Sequence, residues 1–366
     1  MAIQTVGFIG LGLIGGSLAK GLRRVCPEMK IIAYNRSRES LVAALEDGVL
    51  NQAQDSIDEN FAACDMIFLC APVSVNIDCM AKLKEIIRPD CLLTDVGSVK
   101  TTIHEAVEEM GLSGQFIGGH PMTGSELTGY ANANDRLLEN AYYILTPTRD
   151  NRPEQMVEYQ AIIKAIGAVP LILDYRDHDR AAAYISHLPH MIAYTLVNLV
   201  KKSDNRAGLM KMLAAGGFKD ITRIASSSPE MWQQICRENK KALMEALEQY
   251  QEALSRVGEA VKKDKESFLL EYFDSARQYR TGIKAQYRAG VEPIHELYLE
   301  IADEPGAIAI VATILGSARL SIKNLEIRNK REVQSGALRV EFYDGETVKK
   351  AAEVLRRYHY TVYERQ

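Results

Sequence analysis

From Thr5 to about Leu173, short apolar runs alternate with longer segments that carry one polar face. The runs are Val6-Gly-Phe-Ile9, Ile31-Ile-Ala-Tyr34, Met66-Ile-Phe-Leu-Cys70, Cys91-Leu-Leu-Thr94, Gln115-Phe-Ile117, Tyr142-Tyr-Ile-Leu145 and Val169-Pro-Leu-Ile-Leu173. Several are apolar at every position, as strands of a sheet covered on both faces must be. Alternation of strand and helix predicts a doubly wound α/β domain over residues 1–174.

The texture then changes. Between residues 175 and 292 only Pro189 and Pro229 interrupt the chain and no strand-like alternation occurs, which predicts an all-helical domain. Within it Leu243, Leu247, Tyr250, Leu254, Val257 and Val261 recur at alternating spacings of four and three, a heptad-like stripe. Such a stripe packs either on its own domain or on a symmetry mate. The second option is preferred here, so a homodimer is expected. Gly290-Val-Glu-Pro293 ends the helical texture, and residues 293–366 follow a third pattern. A strand (Glu296–Ile301), a turn (Asp303-Glu-Pro305-Gly306), a helix (Ala307–Ser317) and a strand (320–327) come first. After a charged turn (Asn329-Lys-Arg331) come a strand (Gly336–Phe342), a helix (Thr347–Tyr358) and a last strand (Thr361–Tyr363). The order βαββαβ predicts a ferredoxin-like unit.

Composition narrows the class. The 366 residues are 47% hydrophobic and 25% charged, which excludes a disordered or fibrous chain. Lys and Arg total 44 against 48 acidic residues, a balance that gives no support to nucleic-acid binding. The six cysteines form no C-x-x-C pair and the seven histidines no H-E-x-x-H, so no metal site is expected. The N-terminus does not read as a signal peptide, and no apolar stretch approaches the ~20 residues of a membrane span. A cytoplasmic location is expected.

Gly10-Leu-Gly12-Leu13-Ile14-Gly15 is a G-x-G-x-x-G fingerprint that follows a strand and opens a helix, the setting in which it binds a dinucleotide. Gly10 would make the turn, Gly12 would admit a pyrophosphate, and Gly15 would let helix and sheet meet, with Leu13 and Ile14 in the anion-binding first turn. At the end of the second strand stand Asn35 and Arg36 where an acid would favour NAD. Arg36 could take a 2′-phosphate, stack on adenine or be solvated, so local chemistry leaves NAD and NADP open. Pro72, Asp95 and Ser98 lie at the carboxyl ends of later strands, where an open α/β sheet binds its ligand. Ser98 is either functional or a turn former.

His120, held between Gly118-Gly119 and Pro121, is the candidate base for oxidation of an alcohol. His187 and His190 share a helix face if the helix runs through Pro189. Two imidazoles without a third ligand suit a substrate contact better than a metal. Lys219 and Arg223 lie at i and i+4 beside Asp220, either as an exposed ion-pair cluster or as a carboxylate pocket in which Arg223 is the bidentate partner.

Gly10–Gly15, Asp95-Val-Gly-Ser98-Val-Lys100, Gly119-His120-Pro-Met-Thr-Gly-Ser-Glu126, Ser186-His-Leu-Pro-His190 and Gly217-Phe-Lys-Asp-Ile-Thr-Arg223 together resemble the prephenate dehydrogenase family of tyrosine biosynthesis. The segment around Asp303-Glu-Pro305-Gly306 resembles an ACT domain. The resemblance implies oxidative decarboxylation of prephenate to 4-hydroxyphenylpyruvate, with NAD reduced and carbon dioxide released. It implies His120 and Ser98 as catalytic, and His190, Arg223, Lys219 and Glu126 as substrate-binding. By the same resemblance NAD is favoured over NADP. Tyrosine is the implied effector, near Asp303, Pro305, Gly306 and Asn324, and would inhibit by feedback. Arogenate dehydrogenase is the close alternative, and a non-catalytic dinucleotide and amino-acid sensor the alternative from another class.

Overall fold

The computed structural model describes residues 3–124, 127–289, 295–301, 304–327 and 338–364. Two compact units divide the chain, Met1–Arg256 and Val257–Gln366.

The first unit opens with β1 (Thr5–Ile9), α1 (Leu13–Val25), β2 (Lys30–Tyr34), α2 (Arg38–Glu46), β3 (Gln52–Gln54), β4 (Met66–Leu69), α3 (Val73–Leu83), β5 (Leu92–Asp95) and α4 (Thr101–Glu109). These build a five-stranded parallel sheet in the order β3-β2-β1-β4-β5. Val6, Phe8, Ile31, Ala33, Met66 and Phe68 point to the face covered by Leu18 and Leu22 of α1. Ile9, Ile32, Ile67, Leu69 and Leu93 point to the opposite face, against Met80 and Leu83 of α3 and Ile103 and Val107 of α4. Burial on both sides is why these runs lack polar positions. The chain reverses direction across the sheet between β1 and β4, so the loops after these strands open a crevice. Short, polar β3 (Gln-Ala-Gln) sits at the sheet edge and lacks the apolar signature of the others.

The next strands depart from the single sheet expected. β6 (Ile117–Pro121), β7 (Tyr142–Pro147) and, after α5 (Pro153–Ala165), β8 (Val169–Ile172) form a separate three-stranded sheet. β6 and β7 are antiparallel, and the Leu93–Phe116 bridge joins them to β5. The strand expected at Gln115–Ile117 begins later, because Ser113–Gln115 is a 3-10 turn. His120 therefore lies inside a strand, not after one, paired with Ile144 of β7. Two glycines hide that strand from a propensity reading.

Helices follow: α6 (Tyr175–Ala182), a π-helical turn (Ala183–His187), α7 (Leu188–Ser203), α8 (Leu209–Leu213), α9 (Gly216–Thr222), α10 (Pro229–Glu238) and α11 (Lys240–Lys262). The heptad-like stripe lies on α11 and divides in two. Leu247 and Tyr250 pack with Ala183 and Leu188, and Leu243 is buried, whereas Leu254 and Val261 are more than half exposed.

The second unit contains the end of α11, α12 (Glu266–Ala289) and then β9 (His295–Leu299), α13 (Ala307–Ser317), β10 (Asn324–Ile327), β11 (Leu338–Phe342), α14 (Gly345–Arg357) and β12 (Val362–Glu364). Its sheet is antiparallel, in the order β10-β11-β9-β12, the ferredoxin-like arrangement that βαββαβ predicts. Leu297, Leu299, Leu338, Val340 and Phe342 form one face of its core with Val311, Leu315, Ala351 and Leu355 of the helices. The turn expected at Asn329–Arg331 lies outside the described residues.

Candidate active site

The glycine loop between β1 and α1 has the form a dinucleotide needs. Gly10 takes φ +101°, a left-handed conformation that disfavours any side chain, and its N–H donates to Tyr34 O at 2.8 Å. A Cβ on Gly15 would lie 2.3 Å from Gly10 O, so helix and strand can meet this closely only at glycine. A Cβ on Gly12 would meet nothing within 4 Å, and the first turn of α1 has no acidic residue. That open, uncharged approach to the N–H groups of Leu13 and Ile14 fits a pyrophosphate. Asn35 braces the loop: its Oδ1 accepts from Leu11 N at 2.9 Å and its Nδ2 donates to Ser37 O at 2.9 Å. Arg36 is exposed beside it.

Pro72 caps α3 at the end of β4. The loop there is held by Asn76, fully buried, which accepts from Ala71 N and donates to Leu69 O and Ala71 O. Asp95, expected near the cofactor, is fully buried and has other partners. Its carboxylate pairs with Lys100 Nζ and accepts from Gly97 N (2.9 Å) and Gly119 N (3.2 Å). Lys100 Nζ also donates to Gly119 O at 2.8 Å. Asp95 and Lys100 thus clamp β6 one residue before His120, and the carboxylate is not free to reach a cofactor. Ser98 is half-buried in the loop that follows β5.

His120 is half-buried, and its Nδ1 lies 2.7 Å from Nε2 of His178 on α6. His178 Nδ1 lies 2.8 Å from Asp179 Oδ1. Both oxygens of Asp179 are anchored at the start of α4, accepting from Lys100 N and Thr101 N at 2.7 Å each. Burial raises the Asp179 pKa, but the bonds from His178 and Thr101 prevail and hold it below the usual carboxylate range. Burial, reinforced by the neighbouring Lys100 ammonium and by the histidines around it, which would repel a second positive charge, holds His120 well below the ordinary imidazole value, so its ring is neutral and able to accept a proton.

His187 and His190 lie on either side of the junction between the π turn and α7. The wide turn, closed by Leu188 N–H to Ala183 O, carries the helix through Pro189 near its start, where a missing N–H costs little. His190 stacks on Trp232 at 3.8 Å, and His187 meets the same indole edge-on. His190 Nδ1 donates to Ser186 O at 2.9 Å. Burial lowers the His190 pKa, the bond to Ser186 opposes it, and the charge of Arg223 lowers it further. Asn239 donates from one amide nitrogen to Asp179 O (2.8 Å) and His187 Nδ1 (3.1 Å), joining the two groups of histidines. His187, pushed down to about 4 chiefly by burial, is neutral and carries its hydrogen on Nε2.

The structure therefore places His120 in a histidine chain, with Arg223 in the 3-10 turn (Arg223–Ser226) that follows α9. Lys219 lies exposed one turn before Arg223, on α9. Glu126 and Asp303 lie outside the described residues. Pro305 and Gly306 are exposed at the start of α13, and Asn324 opens β10. His178, Asp179, Lys100, Asn239 and Trp232 were given no role by sequence reasoning. Asp174–Arg180 reads as an ordinary charged helix start, and 58 residues separate His120 from His178. No linear spacing signals that pairing.

A glycine-fingerprint α/β domain followed by a helical domain bearing histidines defines the class, a nicotinamide-dependent dehydrogenase. Two family models match the chain: the prephenate dehydrogenase nucleotide-binding domain over residues 18–172 and the prephenate dehydrogenase dimerization domain over residues 174–275. A prephenate dehydrogenase of Bacillus subtilis is 34% identical over 96% of this chain and 95% of its own. The solved prephenate dehydrogenase of Aquifex aeolicus, in complex with hydroxyphenyl propionate and NAD+, is 33% identical with a TM-score of 0.74, covering 77% of this chain and 99% of its own. A solved arogenate dehydrogenase of Synechocystis is 31% identical with a TM-score of 0.69, covering 76% of this chain and 99% of its own. The chain belongs to the prephenate dehydrogenase family.

Proposed function

We propose that the chain oxidatively decarboxylates prephenate to 4-hydroxyphenylpyruvate, with His120 as the base. The observation that carries this reading is a neutral, half-buried imidazole held at Nδ1 by His178, on the strand that the Leu93–Phe116 bridge joins to β5 of the dinucleotide sheet. NAD would be held by Gly10–Gly15 with Leu13 and Ile14, flanked by Asn35, Arg36 and Pro72, and when bound it supplies the acceptor for a hydride. His120 Nε2 takes the hydrogen bond and then the proton of the ring hydroxyl as that carbon loses hydride. Breaking the ring carbon–carboxylate bond releases carbon dioxide and returns its electron pair to the ring. The ring becomes aromatic, and its oxygen recovers the proton from His120. Arg223 pairs with a substrate carboxylate, His190 is a second contact, Lys219 and Glu126 line the pocket, and Ser98 orients His120 or the nicotinamide.

Arogenate, with an amine in place of the keto group, is the competing substrate, and the Synechocystis relative keeps that reading alive. The Bacillus relative supports prephenate, because its likeness extends over 96% of the chain and so into the second unit. That unit, with its ferredoxin-like sheet, is read as an ACT domain that binds tyrosine and inhibits turnover. The domains are read as 1–174, 175–292 and 293–366, and the helical domain as the contact of a homodimer. The likeness to a dimerization domain and the exposed Met210, Met212, Leu213 and Ile221 support this.

His120→Ala tests the mechanism. Turnover measured by absorbance of reduced nicotinamide should fall roughly 10²–10⁴-fold, the usual worth of a general base, with NAD affinity unchanged. Turnover within a few-fold of wild type would remove His120 from the chemistry.

A further inference from the structure

We infer that His178, backed by Asp179, is the positioning residue that sets the tautomer of the catalytic histidine. This deepens the proposed dehydrogenase reading and rests on it. Bond by bond, the donor and acceptor inventory leaves one arrangement for neutral rings. An ionised carboxylate only accepts, so Asp179 Oδ1 takes the hydrogen of His178 Nδ1 at 2.8 Å. His178 Nε2 is then a lone pair. Across 2.7 Å it accepts from His120 Nδ1, which must carry the hydrogen of that ring. His120 Nε2 is left bare for the substrate hydroxyl.

The support behind this chain is rigid. His178 is 2% and Asp179 3% exposed, and the Asp179 carboxylate is pinned by Lys100 N and Thr101 N at the positive end of α4. The Asp179 carbonyl is held in turn by Asn239 at 2.8 Å. When His120 takes up a proton at Nε2, its Nδ1–H remains bonded to His178 and the new charge faces an imidazole whose other nitrogen rests on a carboxylate. A base oriented by a third group in this way is the general logic of acyl-transfer triads, here applied to alcohol oxidation with an imidazole between base and carboxylate. No bond is made or broken at His178 itself.

The test compares wild type, His178→Gln and His178→Phe, reading kcat and KM for prephenate, NAD affinity, and the His120 ring tautomer by ¹⁵N NMR of the histidine-labelled free protein. Wild type should carry hydrogen on Nδ1 of His120. His178→Gln offers a carbonyl oxygen near the place of Nε2, so it should keep that tautomer and keep kcat within about tenfold. His178→Phe should lose the tautomer and lose kcat by roughly 10²–10³-fold, with KM and NAD affinity within about threefold.

Hydrogen on Nε2 of His120 in the wild type would overturn the proposal, because His178 would then be the donor. Equal kcat for the Gln and Phe variants would overturn it too, as would a loss of NAD affinity matching the loss of kcat, which marks simple packing damage. Should His178→Phe fail to fold, the tautomer in wild type and His178→Gln still decides. Absence of prephenate turnover in the wild type would sink the functional reading instead, and the NMR result separates the two failures.

Discussion

A methyl group added at Gly15 would lie 2.3 Å from Gly10 O, while one added at Gly12 would touch nothing within 4 Å. The two glycines therefore have different jobs. Gly15→Ala should destabilise the fold by roughly 1–3 kcal/mol, the range for overpacking. Gly12→Ala should melt like wild type yet weaken NAD by about tenfold or more, because the methyl occupies the approach to the helix N-terminus. Thermal melts paired with titration calorimetry would check both, and equal effects of the two variants on stability would contradict the distinction. Residue identity alone made the loop legible, since glycines at that spacing after a strand have few other uses. Asp95 shows the limit of such reading. Its place at a strand end suggested a cofactor contact, but burial beside Lys100 turned the carboxylate into a clamp on β6.

At the scale of elements, strands buried on both faces were legible because continuous apolar runs have no other place to go. β3 was not, since a short polar edge strand resembles a loop, and β6 was misplaced because Gly118 and Gly119 have little strand propensity and pairing with β7 supplies what they lack. The support behind His120 was invisible for another reason: α6, the start of α4 and β6 meet only in three dimensions. Meeting there, they bury imidazoles. His104 on α4, stacked on Tyr175 at 4.4 Å and bonded to Thr146, is pushed down to about 4 by burial and by Lys100. His187 is likewise pushed down to about 4. A histidine depressed in the folded state binds its proton more readily when unfolded. Stability from these rings is therefore complete above their ordinary value of 6.5 and declines as pH falls from there towards about 4. Each ring contributes on the order of 2–3 kcal/mol across that window. The urea midpoint should drop markedly between about pH 7 and about pH 4.5, and a constant midpoint would contradict neutral burial of these rings.

For the whole molecule, the solved Aquifex relative covers 77% of this chain with 99% of its own, whereas the Bacillus relative runs over 96%. If the second unit's ferredoxin-like sheet is the regulatory part, a chain ending before Ile294 should retain turnover and lose inhibition by tyrosine. Inhibition that persists unchanged would move the effector to the catalytic site. The divided stripe of α11 also belongs at this scale: Leu243 is buried in its own unit while Leu254 and Val261 remain exposed, so a linear heptad pattern could not tell intramolecular packing from association. The central claim, that this scaffold oxidises and decarboxylates prephenate, is tested most directly by following nicotinamide absorbance with prephenate or arogenate and NAD or NADP in matched runs. Rapid reduction of NAD with prephenate, with one carbon dioxide released per NAD reduced, is the predicted result. Tight NAD binding without reduction in any pairing would contradict the claim and leave the sensor reading in its place.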